Sequence, residues 1–361
     1  MKVCIVTVYD NINSGSYWQA YALGHVVKML GHEVYYYKRK KNGASSSIAF
    51  QLKVIVRYLS NLRFLETIDY IKRIIAFQNT SFDYNIIKKS SKIFNNIDCF
   101  ILGSDTIWEI SSNYYKNNKR IFWGDIFYPR KVISYAGSIS NTPRETIITN
   151  QDFSNSVKNW AAISVRDAYT QKTLSTLTNK PIDIVCDPTL LLKEDFYRKI
   201  CNPQTGEYVF LYLFRTPHAK QLAHIQAFAN DNELKIICGT QRHIFPNADK
   251  FIINSPYQFI EYMLGAKYII TDTYHGTAFS INFNKQFVVI NRNMNKVIDI
   301  LSTFELTDRI VNDELNITTI LNKDIDYSLI NPTIDKYRKE SLLFLIKNIS
   351  NKTDNCISYN R

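Results

Sequence analysis

The sequence predicts an α/β protein of two domains, each built on a parallel sheet covered by helices. Its 361 residues exceed the usual length of a single domain. Short apolar runs, typical of strands buried on both faces, alternate with longer segments of helical spacing. A polar linker at residues 201–206 separates two such series. We therefore expect an N-terminal domain over residues 1–200, a C-terminal domain over residues 207–330, and a helix and tail over residues 331–361 that pack back on the first domain.

The first domain opens with a strand, a helix and a second strand. Residues 3–8 form an uninterrupted apolar run, and residues 33–37 form the next one. Between them, Ser14 or Ser16 can cap a helix that Gly31 ends. In a parallel unit of this kind, ligands lie beyond the carboxyl ends of the strands.

Residues 50–95 are predicted to be helical and basic. Their helical spacing produces an apolar face formed by Val54, Ile55, Tyr58, Leu59, Leu62 and Leu65, beside Lys53, Arg57 and Arg63. A helix on a membrane surface has this pattern, and so does a helix that packs on a protein core. We favour the core-packing interpretation because it is the commoner one.

Four further strands are predicted at residues 98–102, 132–135, 162–165 and 182–186. Each apolar run finishes in small or polar residues. If the four strands share one sheet, their ends place a set of polar and small residues on one rim: Ser104, Asp105, Gly137, Arg166 and Asp187. We interpret residues 187–189 as a rigid turn at the exit of the last strand.

The second domain repeats the alternation of strands and helices. Its strands are predicted at residues 208–213, 234–238, 268–271 and 287–290, and its helices at residues 218–230, 256–264, 275–283 and 296–304. A final amphipathic helix is predicted at residues 334–349.

The segment from Thr271 to Thr277 is the strongest candidate site of the second domain. A buried strand runs into a turn, and a helix begins near His275. The free N–H groups of a first helical turn suit a phosphate or carboxylate, and Gly276 permits close approach of a ligand. His275 would add a hydrogen-bond donor or a transferable proton. The competing interpretation makes this histidine a helix cap or a satisfied core group.

Arg166 directly follows the apolar strand at residues 162–165. A buried arginine needs an anionic partner, and its planar fork matches a carboxylate or phosphate. That partner is either a ligand, or Asp167 or Asp187 in a salt bridge.

The loop of Ser104, Asp105 and Trp108 offers a hydroxyl, a carboxylate and an aromatic ring. This combination suits sugar recognition, and it equally suits a structural turn in which Asp105 caps the next helix. The loop around Asn13 would line the same cleft.

Composition narrows the range of functions. The net charge of +12 favours an anionic partner, but the dispersed Lys and Arg residues argue against nucleic acid. The six cysteines lack CxxC spacing, which indicates buried thiols in a reducing compartment. With no recognisable signal peptide or apolar span of about 18 residues, we expect a cytoplasmic protein. Walker, HExxH and GxSxG motifs are absent, and the visible residues demand no metal.

Six stretches in order, spread between residues 3 and 305, resemble the polysaccharide pyruvyl transferase family. They are Asn13–Leu23, Ile101–Trp108, Ser134–Ser138, Ile163–Asp167, Asp187–Leu192 and Tyr274–Ser280. The chain departs from the family pattern at Thr106, where glutamine is common, and at Trp18, where leucine is common.

The resemblance implies two Rossmann-like domains facing a cleft, similar to the glycosyltransferase B fold. It implies phosphoenolpyruvate as co-substrate, with no separate cofactor, and a pyruvate ketal as product. His275 and Arg166 would be the catalytic residues, with Gly276 and Thr277 on the donor side in the second domain. A further basic residue is expected there after the last strand, and Arg292 and Lys296 both qualify. Asn13, Ser104, Asp105 and Trp108 would lie on the acceptor side in the first domain.

The expected acceptor is a sugar or lipid-linked oligosaccharide of a bacterial surface or capsular polysaccharide. Such an acceptor would bring the protein to the inner face of the cell membrane. Two alternatives stay open, a nucleotide-sugar glycosyltransferase of the same architecture and a non-catalytic module that binds an anionic glycan.

Overall fold

The computed structural model describes residues 1–39, 47–80, 85–110, 112, 115, 118–252, 255–290, 294–311 and 316–350. Its first sheet is parallel and has the strand order β3-β2-β1-β4-β5. These strands are β1 (Lys2–Val6), β2 (Glu33–Tyr37), β3 (Asn85–Ile87), β4 (Cys99–Leu102) and β5 (Lys131–Ser134). The continuous apolar runs that predicted β1 and β4 are buried on both faces.

The next two strands, β6 (Ile163–Val165) and β7 (Ile182–Ile184), form a separate two-stranded parallel sheet. The expectation that four strands share one sheet is therefore wrong in detail. Isolated β-bridges connect the segment of β6 to the end of β5. Hydrogen bonds from serine side chains take the place of a regular backbone hydrogen-bond ladder there. The Ser134 hydroxyl donates to the Ser164 carbonyl at 3.0 Å, and the Ser164 hydroxyl donates to the Ser134 carbonyl at 2.9 Å. The predicted rim still comes together because these contacts keep β6 beside β5.

The second sheet is also parallel, with the strand order β10-β9-β8-β11-β12. Its strands are β8 (Tyr208–Tyr212), β9 (Lys235–Cys238), β10 (Lys250–Phe251), β11 (Tyr268–Thr271) and β12 (Gln286–Val289). Both sheets have the strand order of a doubly wound α/β fold. In such folds, ligands bind beyond the carboxyl ends of the strands, at the point where the strand order reverses.

Helices cover both sheets. Those of the first part of the chain are α1 (Ser14–Met29), α2 (Ile48–Ser60), α3 (Phe64–Asn79), α4 (Lys119–Phe122), α5 (Arg144–Ile148), α6 (Gln151–Asn159), α7 (Ala168–Leu174), α8 (Pro188–Leu191) and α9 (Glu194–Ile200). Those of the second part are α10 (Ala219–Asp231), α11 (Pro256–Gly265), α12 (Tyr274–Asn282), α13 (Asn295–Thr303), α14 (Ile317–Leu321) and α15 (Tyr327–Ile349).

The ends of α1 show how local sequence sets a helix. Asn13, rather than Ser14 or Ser16, is the N-cap, and its side chain accepts a hydrogen bond from the Ser16 N–H at 3.1 Å. Gly31 has a φ of +83° just beyond the helix, as its position in the sequence predicts.

The segment 50–95 differs from its prediction in two ways. It contains strand β3 as well as two helices. The core-packing interpretation is correct for Tyr58, which is buried, but wrong for Leu59, Leu62 and Leu65, which are 42%, 76% and 62% exposed. Helical spacing alone could not distinguish these cases, because a face that packs on protein and one that meets solvent can have the same period.

One apolar core crosses from the first sheet to the second. Trp18 of α1 is fully buried in it and donates a hydrogen bond from its indole Nε1 to the carbonyl of Pro256 in α11 at 2.8 Å. The last helix, α15, begins at Tyr327 rather than near residue 334. It returns to the first domain, where the Ser341 hydroxyl accepts a hydrogen bond from the Cys186 N–H at 2.8 Å. The two domains are thereby held together on one side of a cleft.

None of the helices in the described parts of the chain has the length and apolar character needed to cross a membrane.

Candidate active site

The carboxyl ends of both sheets open into a cavity of about 450 Å³. Its walls come from both domains and include five of the ten residues expected at the site. The lining residues are Asn11, Asn13, Ser16, Asp105, Thr106, Glu109, Ser112, Tyr115, Arg166, Tyr212, Phe214, Arg215, Asp272, Thr273, Tyr274, His275, Met294 and Lys296.

Helix α12 directs its N-terminus at this cavity. Thr273 caps the helix, since its hydroxyl accepts a hydrogen bond from the Gly276 N–H at 2.9 Å. The N–H groups of Tyr274 and His275, in the first turn, have no acceptor within the helix. They form the positive end of the helix dipole, where an anion is stabilised.

Gly276 and Thr277 do not line the cavity, contrary to expectation. A Cβ on Gly276 would lie 2.1 Å from Oγ1 of Thr271, so glycine is needed there for the helix to pack against β11. Thr277 is fully buried, and its hydroxyl donates to the Thr273 carbonyl at 2.9 Å. Both residues therefore shape the start of α12 rather than contact a ligand.

His275 extends across the cleft toward the first domain. A Cβ on Gly15, in the first turn of α1, would lie 2.3 Å from the His275 Nδ1 atom. The imidazole therefore occupies space that only glycine leaves open. Its Nε2 atom lies 3.8 Å from Oδ2 of Asp187 and has no hydrogen-bond partner among the described residues.

Arg166 lies at the junction of the two domains. Its buried guanidinium donates from Nη1 to Oδ2 of Asp187 at 2.9 Å, and it stacks on the ring of Tyr274 with a distance of 4.1 Å to the centroid. The salt bridge to Asp187 that the sequence left open is present, and the side chain lines the cavity as well. Within the described structure, Nε and Nη2 have no hydrogen-bond partner, so most of the fork is available to an anion.

Asp187 has a more central place in this cluster of side chains than the sequence indicated. It is a turn residue, as interpreted, and caps α8 by accepting from the N–H and hydroxyl of Thr189. The same fully buried carboxylate also faces Arg166 and His275. Its place directly after a strand of the polar rim was the available signal.

Asp105 and Asn13 line the cavity on the side of the first domain, as expected. The Asp105 carboxylate accepts a hydrogen bond from the Ser16 hydroxyl at 2.9 Å and lies 4.0 Å from Nη2 of Arg166. Lys296, in the first turn of α13, lines the opposite wall. Arg292, the other basic candidate, lies outside the described residues.

Ser104 and Trp108 do not reach the cavity. The Ser104 hydroxyl donates to the side-chain oxygen of Gln19 at 3.0 Å and lies 3.4 Å from Oδ2 of Asp187. It therefore helps to hold that carboxylate in place without lining the cavity itself. Trp108 is fully buried, stacks on Trp160 at 5.0 Å, and donates to a backbone carbonyl. The expectation that its ring meets a sugar is wrong, because the ring fills the core under Gly137.

Burial and neighbouring cations control the protonation of the site. Burial is the largest cause that lowers the pKa of His275. The charges of Asp187 and Asp105 oppose it, and smaller contributions from Arg166 and Lys296 lower the pKa further. The lowered pKa favours the neutral imidazole near pH 7. Burial also lowers the pKa of Lys296, with a further contribution from Arg166. Burial opposes ionisation of Asp105, but His275, Arg166 and Lys296 outweigh it and lower the pKa of that carboxyl.

The family model for polysaccharide pyruvyl transferase matches residues 13–293. The chain belongs to the polysaccharide pyruvyl transferase family. The match begins at Asn13 and includes Asp105, Arg166 and His275, so the cleft lies almost wholly within the region that defines the family. Lys296 follows shortly after its end. No curated protein sequence matches this member of the family.

Solved structures confirm the predicted architecture of this pyruvyl transferase family member, two Rossmann-like domains in the glycosyltransferase B arrangement. A putative UDP-N-acetylglucosamine 2-epimerase from Listeria monocytogenes aligns with a TM-score of 0.55 over 98% of this chain and 97% of its own, at 8% identity. The UDP-GlcNAc 2-epimerase from Neisseria meningitidis, bound to UDP-GlcNAc, aligns with a TM-score of 0.50 over 97% and 99% of the two chains, at 10% identity. Such low identities concern the fold alone.

Among the cleft residues of this pyruvyl transferase family member that were not anticipated from sequence, two carry charged side chains outside the predicted motifs, Glu109 and Arg215. Glu109 lines the cavity, and burial raises the pKa of its carboxyl. Arg215 lies in a loop held by Asp272, which accepts hydrogen bonds from the N–H groups of Phe214 and Arg215 at 2.8 and 3.1 Å. Both residues lie in irregular segments, where periodicity carries no signal. Across the described part of the chain, no three His, Cys, Asp or Glu side chains come together as a metal-binding group.

Proposed function

We propose that this protein transfers pyruvate from phosphoenolpyruvate to a sugar of a bacterial surface or capsular polysaccharide precursor and forms a pyruvate ketal. The observation that carries the proposal is the buried Arg166 fork, whose Nε and Nη2 atoms lack hydrogen-bond partners among the described residues. It faces the cleft beside His275, Lys296 and the N-terminus of α12. This arrangement favours a small donor with several negative charges.

Phosphoenolpyruvate carries a carboxylate and a phosphate ester on the same carbon atom. The Arg166 fork suits bidentate binding of one anionic group, and the N–H groups of the first turn of α12 suit the other. Lys296 adds a further positive charge. Asp187 keeps the guanidinium in place while leaving two of its nitrogens free for the donor.

The proposed reaction divides into two additions. A sugar hydroxyl adds to the oxygen-bearing carbon of phosphoenolpyruvate and loses its proton, while an acid protonates the neighbouring methylene to a methyl group. Phosphate then leaves with the bonding electrons, and a second hydroxyl adds to the same carbon and loses its proton. The ketal and inorganic phosphate are the products.

His275 is the proposed acid, and the bound donor makes this role feasible. Burial lowers its pKa, and the cations beside it contribute to the same effect. A bound phosphate would offset those cations and raise the pKa, since an opposite charge favours the protonated imidazole. The proton would thus be taken up together with the donor and delivered in the cleft. An acid so placed contributes about 10²–10⁴-fold to the rate.

One observation favours a second candidate, a nucleotide-sugar enzyme. A solved structure of similar fold, the Neisseria meningitidis epimerase, is bound to UDP-GlcNAc. A nucleotide-sugar donor would use the same helix N-terminus for its diphosphate.

Thermal stability with each donor separates the two candidates. We expect phosphoenolpyruvate to raise the melting temperature of the purified protein and UDP-GlcNAc to have little effect. Stabilisation by the nucleotide sugar alone would contradict the proposal. Phosphate release from phosphoenolpyruvate with a panel of oligosaccharide acceptors then tests turnover.

Two variants test the roles within the cleft. We expect Arg166→Lys to weaken stabilisation by phosphoenolpyruvate, because the planar fork is lost while the charge is kept. We expect His275→Gln to retain binding but lower phosphate release by about 10²-fold or more. Arg198→Lys and His224→Gln, which change residues outside the cleft lining, serve as matched controls. Near-normal turnover in both cleft variants would refute the assignment.

A further inference from the structure

Helices α2 and α3 form a hairpin (residues 48–79) that leaves its apolar residues in solvent. Of the twenty large apolar residues that are exposed in the described structure, eleven lie in this hairpin. On α2 they include Ile48, Leu52, Val56 and Leu59, which recur at helical spacing and are 76%, 55%, 63% and 42% exposed. A continuous exposed apolar surface of this kind marks an interaction site.

The second helix of the hairpin continues this surface. Phe64, Ile68, Ile71 and Ile75 recur along one side of α3 and are 57%, 47%, 39% and 49% exposed. The two helices meet at Leu62, which is 76% exposed at the tip. The apolar surface therefore extends over both helices and the turn between them.

The exposed charges of the hairpin are positive. Lys53, Arg57 and Lys72 are exposed, whereas both of its acidic residues are engaged elsewhere. Glu66 accepts hydrogen bonds from the N–H and ring of His243, and Asp69 pairs with an arginine of the second domain at 2.6 Å. Apolar side chains surrounded by cations complement a layer of anionic headgroups over hydrocarbon.

A second copy of the chain complements this surface less well. In a symmetric dimer the same patch meets itself, so the exposed cations would face one another. A lipid surface avoids this repulsion, and the aliphatic stems of Lys and Arg can lie along the apolar layer while their charges reach the headgroups.

The hairpin also borders the cleft. A small cavity of about 190 Å³ between the hairpin and the loop after β1 is lined by Gln51 and Phe77 on one side and by Asn11 on the other. Asn11 also lines the main cleft. A molecule anchored beside the hairpin would therefore have a short path into the site.

We propose that the hairpin docks the protein onto an anionic phospholipid bilayer, lying in the interface without crossing it. Docking would present the cleft to an acceptor sugar carried on a membrane lipid, a consequence that rests on the proposed function. The docking itself does not depend on the reaction.

Vesicle sedimentation of the full chain tests the docking. We expect binding to vesicles of equal parts phosphatidylcholine and phosphatidylglycerol, and much weaker binding to phosphatidylcholine alone. The variant Lys53→Gln/Arg57→Gln/Lys72→Gln should bind the anionic vesicles about a hundredfold less, at roughly fivefold per charge. The variant Leu52→Ser/Val56→Ser/Ile68→Ser/Ile71→Ser should lose binding by at least about a hundredfold.

A matched control changes exposed apolar residues elsewhere. Leu329→Ser/Leu343→Ser alters side chains of α15 that are 75% and 53% exposed and should bind vesicles normally. Equal binding by all variants would overturn the proposal, and so would a dimer of the natural chain in light scattering that the apolar variant converts to a monomer. Stabilisation by phosphoenolpyruvate without vesicles should stay unchanged in the hairpin variants, so a failure of docking and a failure of the proposed function are read separately.

Discussion

At the scale of single residues, the site is organised around one buried carboxylate. Asp187 pairs with Arg166, faces His275 and receives support from Ser104. A buried guanidinium without an anion would be strongly destabilising. Asp187 supplies one compensating negative charge, bound to Nη1, and leaves the Nε and Nη2 atoms for hydrogen bonds to a ligand. The residue type at each of these positions was visible in the sequence. Their convergence was not, because they come from four separate strand ends.

The protonation of His275 offers a prediction at this scale. Burial and nearby cations lower its pKa, so we expect an imidazole pKa below 6.5 in the free protein and a rise when phosphoenolpyruvate binds. Nuclear magnetic resonance titration of labelled histidine measures both values, with His275→Gln to assign the signal. An unchanged pKa on saturation with the donor would count against a role for His275 as the acid.

At the scale of elements, the site depends on two helix starts that interlock across the cleft. Gly15 in the first turn of α1 leaves room for the ring of His275 in the first turn of α12. The sequence predicted both helices, since helical spacing is a local feature, but it placed the cap of α1 at Ser14 or Ser16 rather than at Asn13. It also predicted β11 at residues 268–271 with the bounds observed. The short strand β3 and the exposed hairpin were missed or misread because their placement depends on what surrounds them.

The close contact between Gly15 and the His275 ring predicts how a methyl group added at Gly15 changes turnover. Gly15→Ala places a carbon 2.3 Å from the His275 ring, so the ring must move, and we expect phosphate release to fall at least about tenfold, since misplaced catalytic groups lose rate steeply. Gly31→Ala is the control. It adds backbone strain at a φ of +83° but meets no atom within 4 Å, so it should lower the melting temperature without changing turnover. Equal turnover in both variants would show that His275 tolerates displacement.

At the scale of the whole molecule, the two domains share their core. Trp18 is buried between them and contacts Tyr197 and Tyr257 with centroid distances of 5.5 Å. On α15, Arg338 donates hydrogen bonds to the Leu190 carbonyl in the first domain and to the Asn282 side chain in the second. The sequence placed Trp18 within the first helix but could not show that both domains bury its ring.

This shared core predicts one cooperative unfolding transition in calorimetry. Trp18→Ala should lower the free energy of unfolding by about 3–5 kcal/mol, because it leaves a large cavity and removes the bond to Pro256. Leu329→Ala, an exposed substitution on α15, should have little effect. Two resolved transitions in the natural chain would show instead that the domains unfold independently.

The sequence by itself determined the fold class, most strands and helices, and the chemical types at the site. These depend on local spacing, caps and the ends of apolar runs, which neighbouring residues specify. Only the tertiary structure decided that Trp108 lies in the core, that Gly276 serves packing, that Asp187 connects the two catalytic candidates, and that the hairpin faces solvent. Each of these depends on which distant segments meet, and the period of a single segment does not contain that information.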